Sequence, residues 1–220
     1  MLTNFDQNIF YFQNFLLFLS YKFKTMLNNF DHIRCLLSFD TPEDFYFLQI
    51  IKRRKDNPEL GRDMKLIDNY FIYSLEDYDK LETKIIEQCT INNARAYLRL
   101  NRRNSKTCAI HTIRKISELL IDGNYKAAKS SYLSAAGDYH NEKPKRWIID
   151  IDEEDLMNKE AIEKTIAELH EKTPGYNHIA TIKTKNGYHF ITNPFDMKAF
   201  KEKFPTIDIH RDNPTLLFCP

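Results

Sequence analysis

The sequence predicts an α/β (α+β) protein whose last third forms a split βαβ layer. Three observations lead to this fold class. Several segments alternate between apolar and polar residues, as half-buried strands do, and others carry apolar residues at helical spacing. The dipeptide Asn186-Gly187 separates two strand-like segments and is typical of a tight hairpin turn. A hydrophobic fraction of 42% supplies a real core and excludes a disordered chain.

Residues 1–60 are predicted to be a helical segment ahead of the first lobe. The apolar run 9–21 is too short for a membrane span and lacks the basic flank of a signal peptide. We therefore expect it to be a buried or interface helix. A second helix is predicted to begin after Thr41, which would cap it, and to end near Asn57. The basic stretch 50–55 would then be the exposed end of this helix.

Residues 61–146 are predicted to form an α/β lobe. The segment 94–101 alternates cleanly, with alanine and leucine on one face and Arg95, Tyr97 and Arg99 on the other. Such alternation is typical of a strand that buries one face. The other elements predicted here are a strand at 65–74, a helix capped by Ser74, and helices at 106–121 and 124–136.

Residues 147–220 read in the order β-α-β-β-α-β-β. This order is close to an RRM-like split βαβ lobe, with helices on one face of a mainly antiparallel sheet and the other face open. A type I′ turn at Asn186-Gly187 would pair Lys185 with Tyr188. The predicted elements are strands at 147–152, 178–185, 188–192, 206–210 and 215–219, and helices at 158–172 and 196–204.

Polar residues recur on one face of three strands in this last region. Asp150 and Asp152 share a face because side chains along a strand have a period of two. His189 lies on the hairpin, and Asp208 alternates with isoleucines on a later strand. If these faces coincide, three carboxylates and a histidine converge, and hard carboxylate oxygens suit Mg²⁺ or Mn²⁺. The simpler alternative is a solvated acidic strand end.

The overall charge gives no argument for nucleic acid. The chain has 32 basic and 31 acidic residues, so a basic groove would have to be local. Its four cysteines form no CxxC pair, which favours reduced thiols in a cytoplasmic protein over a zinc knuckle or a disulfide framework.

The order of these motifs resembles the archaeo-eukaryotic primase superfamily, in particular small phage and plasmid primase-polymerases. The matching segments are "IIDIDEE" (148–154), "NGYHFI" (186–191) and "TIDIH" (206–210). "RAYLRLNRRN" (95–104) resembles the strand-and-arginine segment found upstream in that family. The resemblance spans roughly residues 90–220.

The resemblance implies a catalytic lobe that binds Mg²⁺ or Mn²⁺. Asp150, Asp152 and Asp208 would be both the catalytic acids and the metal ligands, and His189 would contact the triphosphate of the incoming nucleotide. The family often has serine two positions before that histidine, where this chain has Gly187.

The implied activity is DNA-dependent nucleotidyl transfer that makes or extends primers for replication. The partners would be single-stranded or primed DNA, nucleoside triphosphates and a replicative helicase on a separate chain, without a membrane. The expected location is the cytoplasm, or the host cytoplasm if a phage encodes the chain. Lys185 or Lys183 would help to bind nucleotide. The residues expected to bind nucleic acid are Arg95, Tyr97, Arg99, Arg102 and Arg103.

Two other functional classes fit the same residues. A metal-dependent nuclease also uses acids and a histidine, and a nucleic-acid-binding protein could keep the fold with idle acids. The arginine strip formed by Arg95, Arg99, Arg102 and Arg103 could equally be a solvated basic strand face. Incorporation of nucleotides on a primed template separates a polymerase from a nuclease.

Overall fold

The computed structural model describes residues 26–61, 63–140, 143–169 and 178–220, and it confirms the predicted α+β fold class. Its helices and antiparallel strands alternate along the chain. The strands are β1 (Leu27–Asn28), β2 (Asp44–Lys52), β3 (Lys65–Ile72), β4 (Arg95–Asn104), β5 (Trp147–Asp152), β6 (His178–Lys183), β7 (Gly187–Thr192), β8 (Asp208–His210) and β9 (Pro214–Cys219). The helices are α1 (Phe30–Arg34), α2 (Leu75–Asn92), α3 (Ser105–Ile121), α4 (Tyr125–Ala128), α5 (Ser131–Asp138), α6 (Lys159–Glu168) and α7 (Met197–Lys203), with 3-10 turns at Pro58–Leu60 and Glu153–Asn158.

The first sheet has the strand order β1-β9-β4-β2-β3, and helices cover both of its faces. On one face, Leu48 and Ile50 of β2 share a buried cluster with Ile85 of α2. On the other face, Phe45 and Phe47 pack with residues of α3 and α5. The hydroxyl of Ser74 accepts a hydrogen bond from the N–H of Asp77, so the predicted cap of α2 is confirmed.

The helix predicted from Thr41 is wrong, because this stretch forms β2. Its residues are mostly aromatic or β-branched, which favours a strand, and the sheet buries both of its faces. At its start, a carboxylate oxygen of Asp44 accepts hydrogen bonds from the backbone N–H groups of Asp40 and Thr41. These bonds close a turn where the helix was expected to begin.

The second sheet has the order β6-β7-β5-β8, and all its neighbouring strands are antiparallel. The connection β5-α6-β6-β7-α7-β8 is that of the predicted split βαβ layer. Ile149 and Ile151 of β5 pack with Ile162 and Ile166 of α6 and Phe200 of α7. The prediction that both helices cover this face of β5 is therefore confirmed.

The last strand does not join the second sheet, as the sequence led us to expect. Instead β9 crosses to the first sheet and pairs with β4 and β1. The turn before it is held by Asp212, whose carboxylate accepts hydrogen bonds from Arg99 and Arg103 of β4. Residues Thr215–Cys219 are buried throughout, which suits a strand between two others.

The other face of the second sheet is only partly open. Ile148, Ile182 and Ile191 lie on this face and share the buried cluster of Leu217 and Phe218 from β9. The two sheets therefore pack together at one end of this face, and the remainder forms the wall of a cleft.

The predicted type I′ turn at Asn186-Gly187 is also wrong. Lys183 pairs with Tyr188, so the hairpin loop consists of residues 184–186 and Gly187 is the first residue of β7. A Cβ atom at Gly187 would lie 1.9 Å from the carbonyl oxygen of Ile151. Glycine is required here because two backbones approach closely, and not because the turn needs a positive φ.

Within the described ranges, no helix combines the length and the apolar character that crossing a bilayer would require. The apolar helix predicted at 9–21 lies outside the described residues.

Replacing Gly187 by alanine should destabilise the protein strongly, because the added methyl group collides with backbone that cannot move cheaply. We expect the free energy of unfolding to fall by at least about 2 kcal/mol in urea denaturation. Gly137→Ala is the matched control. Gly137 lies in α5 with open space around its Cα, so the change should be neutral or stabilising by up to about 1 kcal/mol. Equal stabilities of the two variants would contradict this account.

Candidate active site

One row of residues crosses three adjacent strands of the second sheet. Asp150 of β5 lies directly opposite His189 of β7 and directly opposite Asp208 of β8. Directly opposed residues of antiparallel strands project to the same face, with Cβ atoms about 5 Å apart. Asp152 lies two residues further along β5 and so shares that face. The four residues therefore share one face of the sheet, as the sequence predicted, although within the described ranges they are not gathered closely enough to form a ready ligand group.

This row faces a cleft between the two sheets with a volume of about 490 Å³. Asp150, Asp152 and His189 line one wall, while Asp208 lies on the exposed edge strand beside it. The opposite wall comes from the first sheet and carries positive charge. Its lining residues include Ile51, Arg53, Lys55, Arg95 and Tyr97.

The acids on the first wall repel one another. Burial raises the pKa of the Asp150 carboxyl above its usual value, and the charges of Asp152 and Asp208 raise it further. The charge of His210, on the neighbouring strand β8, acts in the opposite direction, and so does the charge of Arg53 across the cleft. Within the described chain, no lysine or arginine forms an ion pair with these acids. His210 and Arg53 therefore offset the repulsion among the acids only in part, and the pKa of Asp150 stays raised.

His189 is held in place from behind. Its Nδ1 lies 2.9 Å from Oγ1 of the buried Thr215 on β9, and its Nε2 lies 3.5 Å from an oxygen of Asp150. Burial lowers the pKa of His189 to about 4, and the charge of His210 adds to this shift. The imidazole is therefore neutral at pH 7, and Thr215 fixes the direction in which Nε2 points.

The donor set fits a hard divalent ion. Carboxylate oxygens are the ligands that Mg²⁺ and Mn²⁺ prefer, and Asp150 and Asp208 are cross-strand neighbours whose charges would be neutralised by a cation. Within the described ranges, no three acidic, histidine or cysteine side chains are already gathered as ligands. The fit of a divalent ion to this site therefore rests on the chemistry of the carboxylate ligands and on their positions in the sheet.

Two basic residues of the opposite wall, Arg53 and Lys55, were not assigned to the site from the sequence. Arg53 follows the end of β2, where its guanidinium donates a hydrogen bond of 3.0 Å to the hydroxyl of Tyr97. The side-chain amide of Asn57 donates to the carbonyl oxygens of Arg53 and Asn93, which ties this loop to the start of β4. The signal that could have found these two basic residues is the aromatic and β-branched composition of residues 44–52. It indicates a strand, and Arg53 and Lys55 then follow the end of that strand.

Asp56 connects the two walls. Its carboxylate accepts two hydrogen bonds from Arg95, at 2.7 and 2.8 Å, and one from Lys185, at 2.5 Å. Burial alone would raise the pKa of Asp56, but these charge-assisted bonds outweigh it and lower the pKa to about 2. Lys185 belongs to the hairpin loop of the second sheet, so this group joins the sheets at one end of the cleft.

Lys183 does not reach the cleft. It lies opposite Tyr188, which in turn lies opposite Ile151, so all three project to the helix-covered face. Its neighbour Lys185 does line the cleft. Of the two lysines expected to help bind nucleotide, only Lys185 remains a candidate.

The predicted arginine strip is mostly internal. Arg103 is fully buried and donates to the carboxylate of Asp212 and to the carbonyl oxygen of Ala136. Arg99 also binds Asp212. The strand alternation was predicted correctly, but α3 and α5 cover this end of β4.

Arg102 is equally committed to the fold. It forms ion pairs with Asp40 and Asp44 and donates to the carbonyl oxygen of Lys143. Of the predicted strip, only Arg95 and Tyr97 line the cleft.

No family model, curated protein or solved structure matches the chain.

The pH dependence of stability tests the buried state of His189. Its pKa is about 4 in the folded protein and 6.5 in the unfolded chain, so below pH 6.5 the unfolded chain binds a proton that the folded protein does not. The free energy of unfolding should fall by about 3 kcal/mol between pH 7 and pH 4 through this group alone. Denaturation curves of His189→Gln should lack this part of the loss.

His32→Gln serves as the control, because His32 is an exposed histidine of α1. A wild-type protein and a His189→Gln variant that lose stability equally between pH 7 and pH 4 would contradict the burial of His189.

Proposed function

We propose that this protein is a metal-dependent nucleotidyltransferase of the primase-polymerase kind, which makes or extends primers on DNA. The observation that carries the proposal is the row of Asp150, His189 and Asp208. Asp150 and His189 of this row face Arg53 and Lys55 across a cleft of about 490 Å³. Acids on one wall and cations on the other are what a nucleoside triphosphate with its divalent ion requires.

The size and lining of the cleft suit one nucleotide. Ligand sites of about 300–1,000 Å³ are usual for small molecules, and the cleft falls within this range. Ile148 and Leu216 form apolar parts of the lining, and the ring of Tyr97 offers a surface for stacking a base. The polar groups lie around these surfaces.

Asp150, Asp152 and Asp208 would hold Mg²⁺ or Mn²⁺. A bound ion would lower the pKa of a primer 3′-hydroxyl and would neutralise charge on the leaving pyrophosphate. The neutral His189 presents Nε2 to the triphosphate without repelling the ion. Arg53 and Lys55 neutralise phosphate oxygens from the opposite wall.

Lys185 and Arg95 take part from the same end of the cleft. Both already bind Asp56, so their positive charges are fixed near the position of the phosphates. Arg99, Arg102 and Arg103 would not bind the DNA template, because their guanidinium groups are engaged inside the fold.

Nucleotide incorporation tests the reaction. The protein is incubated with single-stranded or primed DNA, labelled nucleotides and Mg²⁺ or Mn²⁺, and the products are resolved by length. Longer labelled strands are expected from the wild type. Asp150→Asn should lower the rate by at least about a hundredfold, because it removes the central carboxylate of the row.

Glu154→Gln is the matched control, since Glu154 is an exposed acid just beyond β5 and should be dispensable. Products that are only shortened would replace the polymerase proposal with a metal-dependent nuclease. Equal activity of both variants would remove the acids from the mechanism.

Nucleotide affinity tests the opposite wall. Arg53→Ala should weaken the binding of a non-hydrolysable nucleoside triphosphate by at least about tenfold in titration calorimetry, because one phosphate partner is lost. Arg54→Ala is the control, since Arg54 is exposed and is not part of the cleft lining. DNA affinity should be the same in both variants. Equal nucleotide affinities would refute the role of this wall.

A further inference from the structure

Helix α3 exposes a stripe of large apolar side chains. Ile110 is 66% exposed, Ile113 67%, Leu120 46% and Ile121 85%. Single exposed apolar residues are ordinary, but a contiguous patch on one helix marks an interaction surface. The opposite side of α3 is used within the fold, where Cys108 is buried and His111 stacks on Tyr139.

The spacing of these residues places them on one face of the helix. Ile110, Ile113, Ser117 and Leu120 follow one another at intervals of three or four residues, which aligns them along one face of an α-helix, with Ile121 beside them. The helix has 17 residues and is therefore about 26 Å long. Ser117, near its middle, is small and would let a second helix approach closely.

We propose that this stripe, here called the α3 stripe, binds the same stripe on a second copy of the chain. The two α3 helices would pack antiparallel about a twofold axis near residue 116. Ile110 and Ile121 lie at nearly equal distances on either side of this point, as do Ile113 and Leu120. A twofold axis there brings each apolar residue against an apolar residue of the second copy.

Charge supports the same arrangement. Arg114 and Glu118 lie two residues on either side of residue 116, on the same flank of the stripe. Within one helix they form an exposed ion pair of 2.9 Å, which contributes little to stability. In the antiparallel pair, Arg114 of each copy lies opposite Glu118 of the other. The α3 stripe is thus complementary to itself in both apolar and charged residues.

The position of the α3 stripe leaves the cleft accessible. α3 follows directly after the last residue of β4, whereas Arg95 and Tyr97, at the start of β4, line the cleft. The cleft and the start of α3 therefore lie at opposite ends of β4, and no residue of α3 lines the cleft. A dimer formed through the α3 stripe would therefore leave the lining of the cleft uncovered by α3.

Sedimentation equilibrium of the full chain tests the dimer. One helix pair is smaller than a standard interface, so we expect a concentration-dependent dimer with a dissociation constant on the order of micromolar. Ile113→Glu should raise this constant at least about tenfold, because it buries a charge in the interface. Ile91→Glu is the control, since Ile91 is 75% exposed on α2, and it should leave the dimer unchanged.

A charge exchange identifies the partner as a second copy. Arg114→Glu and Glu118→Arg should each weaken self-association, because like charges then face each other. An equimolar mixture of the two variants should restore the dimer, since each copy then supplies the charge that the other needs. Circular dichroism checks that all variants remain folded.

A wild-type chain that stays monomeric at tens of micromolar would overturn the proposal and favour coverage of the α3 stripe by another part of its own chain. A dimer that is insensitive to Ile113→Glu, or a mixture that does not reassociate, would overturn it as well.

Discussion

The repulsion among the acids of the second sheet, which His210 and Arg53 offset only in part, is the constraint on which the rest of the structure depends. Asp150, half-buried and flanked by Asp152 and Asp208, carries a charge that the fold alone does not neutralise. Such an arrangement costs stability and persists where a cation or a charged ligand completes it. The surrounding structure supplies this setting, since helices cover one face of the sheet and the first sheet closes part of the other.

Two long-range connections keep the cleft in shape. After β8 the chain crosses from the second sheet to the first, where β9 places Thr215 behind His189. Asp56 binds Arg95 on its own sheet and Lys185 on the other. The His189–Thr215 and Arg95–Asp56 bonds are partly buried, whereas the Lys185–Asp56 bond between the sheets is exposed and contributes less. The walls of the cleft are therefore held at a defined separation.

The sequence predicted the row of site residues because strand periodicity is local. Alternation around Asp150 and Asp208 identified the face on which each side chain lies, and pairing then brought the faces together. The prediction failed for β2, where Thr41 as a helix cap was given more weight than the aromatic and β-branched residues that follow. Arg53 and Lys55 were missed for the same reason.

Local sequence patterns could not predict which strands pair with each other or which side chains contact each other. Nothing in the alternation of β9 specifies which sheet it joins, and nothing near Arg103 in the chain announces Asp212 or the helices that bury it. Gly187 was assigned to a turn because Asn-Gly dipeptides favour turns, whereas the approach of Ile151 is a tertiary contact. These features depend on residues distant in sequence.

The most direct test is a crystal structure of the protein with Mg²⁺ and a non-hydrolysable nucleoside triphosphate. The account predicts that the ion lies against Asp150 and Asp208, with the triphosphate between His189 on one wall and Arg53 on the other. A nucleotide bound outside this cleft, or an ion held by residues other than these acids, would contradict it.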